Sequence, residues 1–128
     1  MSTVKVPNGH QTVMPYLMLD GAEKFKEFTI NVLDGEITST HYQEDYPDKI
    51  KHSEVKIGAS TIMFCDSRPE WSAHPANMFL YVENADDTYQ KALKAGAESM
   101  MEPADQDYGR SCGVTDPCGN VWWITSVL

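Results

Sequence analysis

His52 and Glu54 stand two positions apart in a segment of alternating apolar residues. In a strand such a pair shares one face. A His beside a carboxylate is either a general base with its orienting partner or two ligands of a divalent metal. A neutral His hydrogen-bonded at a polar cavity mouth would look the same. His10, His41 and His74 fall in the polar N-terminal stretch, a strand and a linker, without metal-site spacing, and are expected at the surface. Of the three cysteines, Cys112 and Cys118 could suggest a metal hairpin, but no second Cys/His pair completes four ligands. An odd cysteine count also argues against a disulfide framework and fits a reducing compartment.

Trp122 and Trp123 are adjacent on one strand, so they point to opposite faces, one into a core or dimer interface and one into open space. Trp123 is expected either to stack on an aromatic or cationic ligand or simply to pack. Asp107-Tyr108-Gly109-Arg110 reads as a flexible loop: a lid bringing Tyr108 or Arg110 over a ligand, or a turn with a surface salt bridge. No Gly-rich phosphate loop or dinucleotide fingerprint occurs, which argues against nucleotide chemistry.

An internal echo supplies the elements that must position these groups. YLMLDGAEKFKEF (from Tyr16) resembles FLYVENADDTYQKA (from Phe79): an alternating strand, an acidic turn, then an amphipathic helix. Ala22, Phe25, Phe28, Thr29, Val32 and Leu33 form one helical stripe; Ala85, Tyr89, Ala92 and Leu93 form the other. Asp20 and Asn84 are the expected N-caps, Gly35 and Gly96 the expected stops. Strands are expected at 36–43, 50–57 and 60–66 after the first helix, and at 97–102, 111–115 and 120–127 after the second. The order is β-α-β-β-β twice, with module one at about 10–66, a linker at 67–76 and module two at 77–128, all in one domain.

The chain has 128 residues, a net charge of -9 and a pI near 4.7. That field repels nucleic acid and anionic membranes and favours a cationic ligand. No apolar run approaches the ~20 residues of a membrane span. MSTVKVPNGH has no signal-peptide apolar region, so the expected compartment is the cytoplasm.

The βαβββ repeat and the stretch YGRSCGVTDPCGNVWWI resemble the vicinal oxygen chelate superfamily of glyoxalase I, bleomycin-resistance proteins, fosfomycin-resistance enzymes and extradiol dioxygenases, and within it the PhnB-like branch. HQTVMPYLML, KHSEVKIGASTIMFCD and MFLYVENADDTYQKALKAGAE match as well. The resemblance implies an α+β fold of two βαβββ modules forming curved mixed sheets around a cup, and a homodimer. In catalytic members each half supplies two His or Glu ligands to one metal. The matching positions here are Met14, Met63, Asn77 and Trp123, none a His or carboxylate. Relatives in this branch carry a ubiquinone-pathway methyltransferase label, but no segment here would cradle S-adenosylmethionine. His52 matches a His that recurs in the branch.

Strand alternation places Met14, Tyr16 and Met18, then Met63, then Asn77, Phe79 and Tyr81, then Trp123, on the cup side. Thioethers and rings suit flat apolar ligands and not hard divalent ions. The expectation is therefore a small-molecule-binding protein of glyoxalase/bleomycin-resistance type, without metal or cofactor, that sequesters an aromatic or cationic ligand. Its ligand-binding residues would be Met14, Tyr16, Met63, Asn77, Phe79, Tyr108, Arg110 and Trp123. The alternative is a glyoxalase-like metal-dependent lyase, isomerase or transferase with a non-standard catalytic site at His52 and Glu54. A docking groove for a protein partner ranks last.

Overall fold

The computed structural model describes residues 4–128. The first half runs β1 (Tyr16–Leu19), α1 (Ala22–Leu33), β2 (Glu36–Tyr42), β3 (Ile50–Ile57) and β4 (Ser60–Asp66). The second runs β5 (Asn77–Tyr81), α2 (Ala85–Lys94), β6 (Glu98–Gln106), β7 (Gly109–Thr115) and β8 (Val121–Ser126). The sheets have equivalent orders, β1-β4-β3-β2 and β5-β8-β7-β6. In each, the strand before the helix joins the last strand in parallel and the remaining neighbours are antiparallel. The fold is α+β, two βαβββ modules with mixed sheets and no closed barrel.

The buried face of α1 is the stripe read from its periodicity, Ala22 through Leu33. Phe25 packs edge-on against Phe64 of its own sheet (ring centroids 4.9 Å apart) and stacks on Trp122 of the other module (6.2 Å). Phe28 meets the same indole at 6.4 Å. Each such buried ring contributes about 1.5–3 kcal/mol, so Trp122 does much to hold the modules together. α1 also packs on α2, whereas among the described residues no strand pairing joins the two sheets. The Trp122 indole N–H donates to Asp116 Oδ2 at 2.8 Å. Asp116 Oδ1 also accepts from the backbone of Cys118 and Asn120, so this one carboxylate organises the turn before β8.

The helix ends differ in part from expectation. Asn84 caps α2, its side chain accepting from Asp87 N at 3.1 Å. Asp20 does not cap α1: the chain enters through Gly21 in the left-handed region (φ 78°), which sets Asp20 one residue too far out, and it pairs with Ser67 instead. The buried Asp66 carboxylate takes the Ala22 N–H (2.9 Å) together with that of Ile50 (2.6 Å). In module two the Ser126 hydroxyl holds the equivalent Ala85 N–H at 2.8 Å. At the end of α1 the left-handed residue is Asp34 (φ 54°), not Gly35.

A larger correction concerns 103–110. β6 continues through Pro103 to Gln106, with register irregularities between Ser99 and Ala104. Proline is tolerated there because β6 is an edge strand. Gln106 pairs with Gly109, leaving Asp107 and Tyr108 as a two-residue hairpin turn rather than a flexible lid loop.

Candidate functional site

On module one, pairing across β1, β4 and β3 sets Tyr16, Met63 and Glu54 side by side on the face away from α1. His52 lies on the same face and its Nε2 bonds Glu54 Oε2 at 3.1 Å. The other carboxylate oxygen bonds His10 Nε2 at 2.7 Å. His10 is therefore not a surface residue as expected; it is the third member of a His–Glu–His cluster. Burial works to raise the Glu54 pKa, but the hydrogen bonds and attraction from both imidazoles outweigh it and hold the carboxyl below its ordinary value. Tyr16 presents its ring edge to His52, with centroids 5.6 Å apart. Burial, then the neighbouring Cys65 thiol, push the Tyr16 hydroxyl up.

His10 arrives on a strap laid over this face. Gln11 clasps the Thr61 backbone at both ends, Nε2 donating to its carbonyl (2.9 Å) and Oε1 accepting its N–H (3.3 Å). The Thr61 hydroxyl donates to Gly9 O at 2.5 Å. Thr61 is 2% exposed although it sits on the cup side. The Met14 sulfur accepts the Gln11 N–H at 3.4 Å, within the strap. Part of the first half-cup is thus filled by the chain's own residues.

Module two is bare by comparison. Asn77, Phe79 and Tyr81 lie on the face away from α2, with Trp123 paired beside Phe79 and Gly113 beyond it. A Cβ at Gly113 would lie 2.7 Å from Trp123 Cζ3 and 2.9 Å from Cε3, so the indole lies across a strand position that only glycine leaves clear. The indole N–H donates to Asn77 Oδ1 at 3.1 Å, which fixes the ring in its plane. Phe79 stands 5.3 Å from Tyr81 and 6.1 Å from Tyr108, centroid to centroid. Phe79, Tyr81 and Tyr108 are each more than half exposed. Grouped exposed rings of this kind are unusual on a protein surface that binds nothing. Arg110 is not among them: it points to α2, where its guanidinium meets Asp86 and Asp105, each at 3.0 Å.

The four positions matching the family's metal ligands do not fit a divalent ion. Met14 and Met63 offer thioethers, Trp123 an N–H donor, and the Asn77 oxygen already accepts that N–H. His10 and His52 are spent on Glu54. No group of three or more His, Cys, Asp or Glu side chains among the described residues could hold a metal ion. Burial pushes the Cys112 thiol up to about 11 and the Cys118 thiol to about 12, so neither is a nucleophile at neutral pH.

Sequence reasoning placed Trp123, Phe79, Asn77 and Tyr16 on their faces because alternation is local. It missed His10, whose partner is 44 residues away, and the aperiodic strap gives no signal of it.

Comparison with known proteins agrees with this architecture. The chain is 27% identical over 132 residues to an uncharacterized protein of Mycobacterium bovis, covering 90% of this chain and 82% of that one. The solved PhnB protein of Bacillus cereus superposes with a TM-score of 0.75 at 19% identity, over 91% of this chain and all of the other. An antibiotic-binding protein from a Streptomyces species gives 0.70 at 16% identity, over 93% and 100%. At such identities the two structures speak for the fold alone. The model of the glyoxalase/bleomycin resistance protein/dioxygenase superfamily matches residues 11–124, and the chain belongs to that superfamily.

Proposed function

We propose that this chain binds a small, flat aromatic or cationic molecule without altering it and without a metal, as a sequestering protein. The observation that carries this reading is the group of exposed rings Phe79, Tyr81 and Tyr108 beside a half-buried Trp123, which is held in place by Gly113 and Asn77. Preset rings accept a planar ligand with little ordering cost, and a net charge of -9 draws a cation toward them. The superposable Streptomyces protein is described as antibiotic-binding, which accords with the reading. In this proposal a homodimer completes the cup, a second copy's Tyr16–Met63 face meeting the aromatic face. Three free thiols suit a reducing cytoplasm.

The test is fluorescence titration with a planar cation such as an acridinium dye, followed by recovery of the dye. Saturable micromolar quenching, lost in Trp123→Ala, with the dye recovered unchanged, is expected. Absence of binding by any flat cation, or its chemical conversion, would refute it.

A second reading rests on one contact. His52 is oriented by Glu54, itself anchored by His10, which is the arrangement of a positioned general base. If the chain is a lyase, isomerase or transferase acting through this pair, His52→Ala abolishes turnover and leaves the fold intact; retained turnover removes the reading.

A further inference from the structure

A cleft of about 650 Å³ lies between the modules, where the end of α1 and the β3–β4 turn approach β5 and the start of α2. Its volume is within the roughly 300–1,000 Å³ typical of small-molecule sites. Val32, Leu33, Ile57, Leu80 and Val82 give it an apolar patch within a mixed lining, to which Asp34, Glu83 and Asp87 add carboxylates against a single Lys91.

Two kinds of unused hydrogen-bonding group meet there. β5 is an edge strand. Val121 N bonds Ala76 O, and Val82 N bonds Thr125 O, so the even-numbered residues of this stretch turn their backbone groups toward β8. In a parallel ladder the intervening residues, Phe79 and Tyr81, then turn their N–H and C=O outward along the free edge. The equivalent edge of module one is partly covered, the linker's His74 N–H donating to Met18 O at 3.1 Å. Nothing comparable among the described residues covers β5. The second group is the hydroxyl of Thr88, which lines the cleft. Thr88 is only 8% exposed and its hydroxyl makes no hydrogen bond among the described residues. Because no fully buried side-chain polar atom among the described residues lacks a partner, this hydroxyl opens onto the cleft.

The side-chain charge at the seam is mainly negative, three carboxylates against Lys91. Besides its carboxylates, the cleft receives the C-terminal end of α1, whose last turn contains no basic residue to offset the partial negative charge of its carbonyls. An apolar floor, a free strand edge and an acidic rim together select a compact molecule with an amide backbone, an apolar group and a positive charge.

We propose that this seam is a second binding site, adjoining the Trp123 face through Phe79 and Tyr81, for a short cationic amide-bearing ligand that adds to the β5 edge as an extra strand. Its amide groups pair with Phe79 and Tyr81, its apolar group fills the floor, Thr88 takes one further polar group and its cation lies among Asp34, Glu83 and Asp87.

The experiment is a titration of the ¹⁵N-labelled full chain with N-acetyl-leucyl-lysine methylamide, followed by amide chemical shifts. The largest shifts are expected at the backbone amides of Phe79, Tyr81 and Thr88, with smaller ones at the Trp123 indole, and with binding that weakens as salt rises. Thr88→Val keeps the side-chain shape and should weaken binding about five-fold, the effect of one lost hydrogen bond. The glutamate analogue of the probe should bind more weakly still. Three results would each overturn the proposal: no β5 shift up to about 10 mM probe, largest shifts at the Trp123 indole, or equal binding of the glutamate analogue. So would undiminished binding by a folded Thr88→Val, or protein-concentration-dependent β5 shifts without probe, which would assign the edge to a second copy of the chain.

Discussion

Replacing Gly113 with alanine tests whether the indole of Trp123 is held as a binding surface. The new Cβ would stand 2.7 Å and 2.9 Å from Cζ3 and Cε3. Carbon atoms in comfortable contact are about 3.5–4.0 Å apart, so the ring must retreat by about 1 Å. A shift of that size from the present 3.1 Å carries Nε1 beyond hydrogen-bonding reach of Asn77 Oδ1. Overpacking costs about 1–3 kcal/mol, and the lower backbone entropy of unfolded alanine returns about 0.5–1. Net destabilisation is therefore small, about 0–2.5 kcal/mol, and the protein stays folded. Binding suffers more selectively. A tilted ring loses the stacking increment of about 0.5–1.5 kcal/mol, which corresponds to a two- to twelve-fold weaker Kd for a flat cation. Urea unfolding and dye titration, run side by side on Gly113→Ala and Trp123→Ala, read both quantities. If Gly113→Ala binds the dye as tightly as the parent while Trp123→Ala does not, the fixed plane of the indole is irrelevant and the reasoning fails.

The Glu54 carboxyl sits below its unfolded value of 4.5, so its cluster stabilises the chain above that pH, and the contribution disappears as pH falls through the depressed pKa. Glu54→Gln should therefore lower the thermal midpoint at pH 7, and the deficit should shrink as pH is taken progressively below 4.5; a deficit that does not change with pH would show that charge plays no part. The three thiols should resist alkylation at pH 8 in the native chain and react rapidly in urea, since Cys65 and Cys112 are buried and Cys118 is raised to about 12; mass spectrometry counts the labels. Asp116→Ala leaves the Trp122 indole N–H and the Asn120 side chain without their buried acceptor and should cost about 3 kcal/mol or more in urea unfolding. A loss under 1 kcal/mol would mean that water replaces the carboxylate.

What could be read in advance follows the range of the interaction. The α1 stripe was legible because its six inward residues recur with the helical period, and the opposite fates of Trp122 and Trp123 because neighbouring strand residues must diverge. Asn84 was legible as a cap because its partner is three residues away. Asp20 read equally well as a cap, but a left-handed Gly21 and a carboxylate from β4 took over its task. The hairpin at 107–108 was hidden by Pro103, which reads as a strand end yet lies in an edge strand that can accommodate it. Arg110 was placed near a ligand from its loop position; its two carboxylate partners, one 24 residues away, turn it toward α2. The strap and the inter-module cleft are assembled from segments far apart in the chain, and no local pattern announces either.

The two modules repeat an architecture while differing in what covers it, and that difference locates function better than the repeat does. Each helix begins with an alanine N–H held by a side chain at the end of its sheet's parallel partner strand, Asp66 in one half and Ser126 in the other. Stability explains that likeness, since both helix starts need an acceptor. Stability does not explain the contrast. On module one, Gln11 and His10 close over the sheet face, and His74 covers part of the β1 edge. On module two the corresponding face shows three exposed rings and the corresponding edge is open. A chain selected only to fold would gain by covering those rings, at about 25 cal/mol for each Å² removed from water. That module two leaves them uncovered where module one shows the covering to be feasible is the argument for a ligand on this side of the molecule.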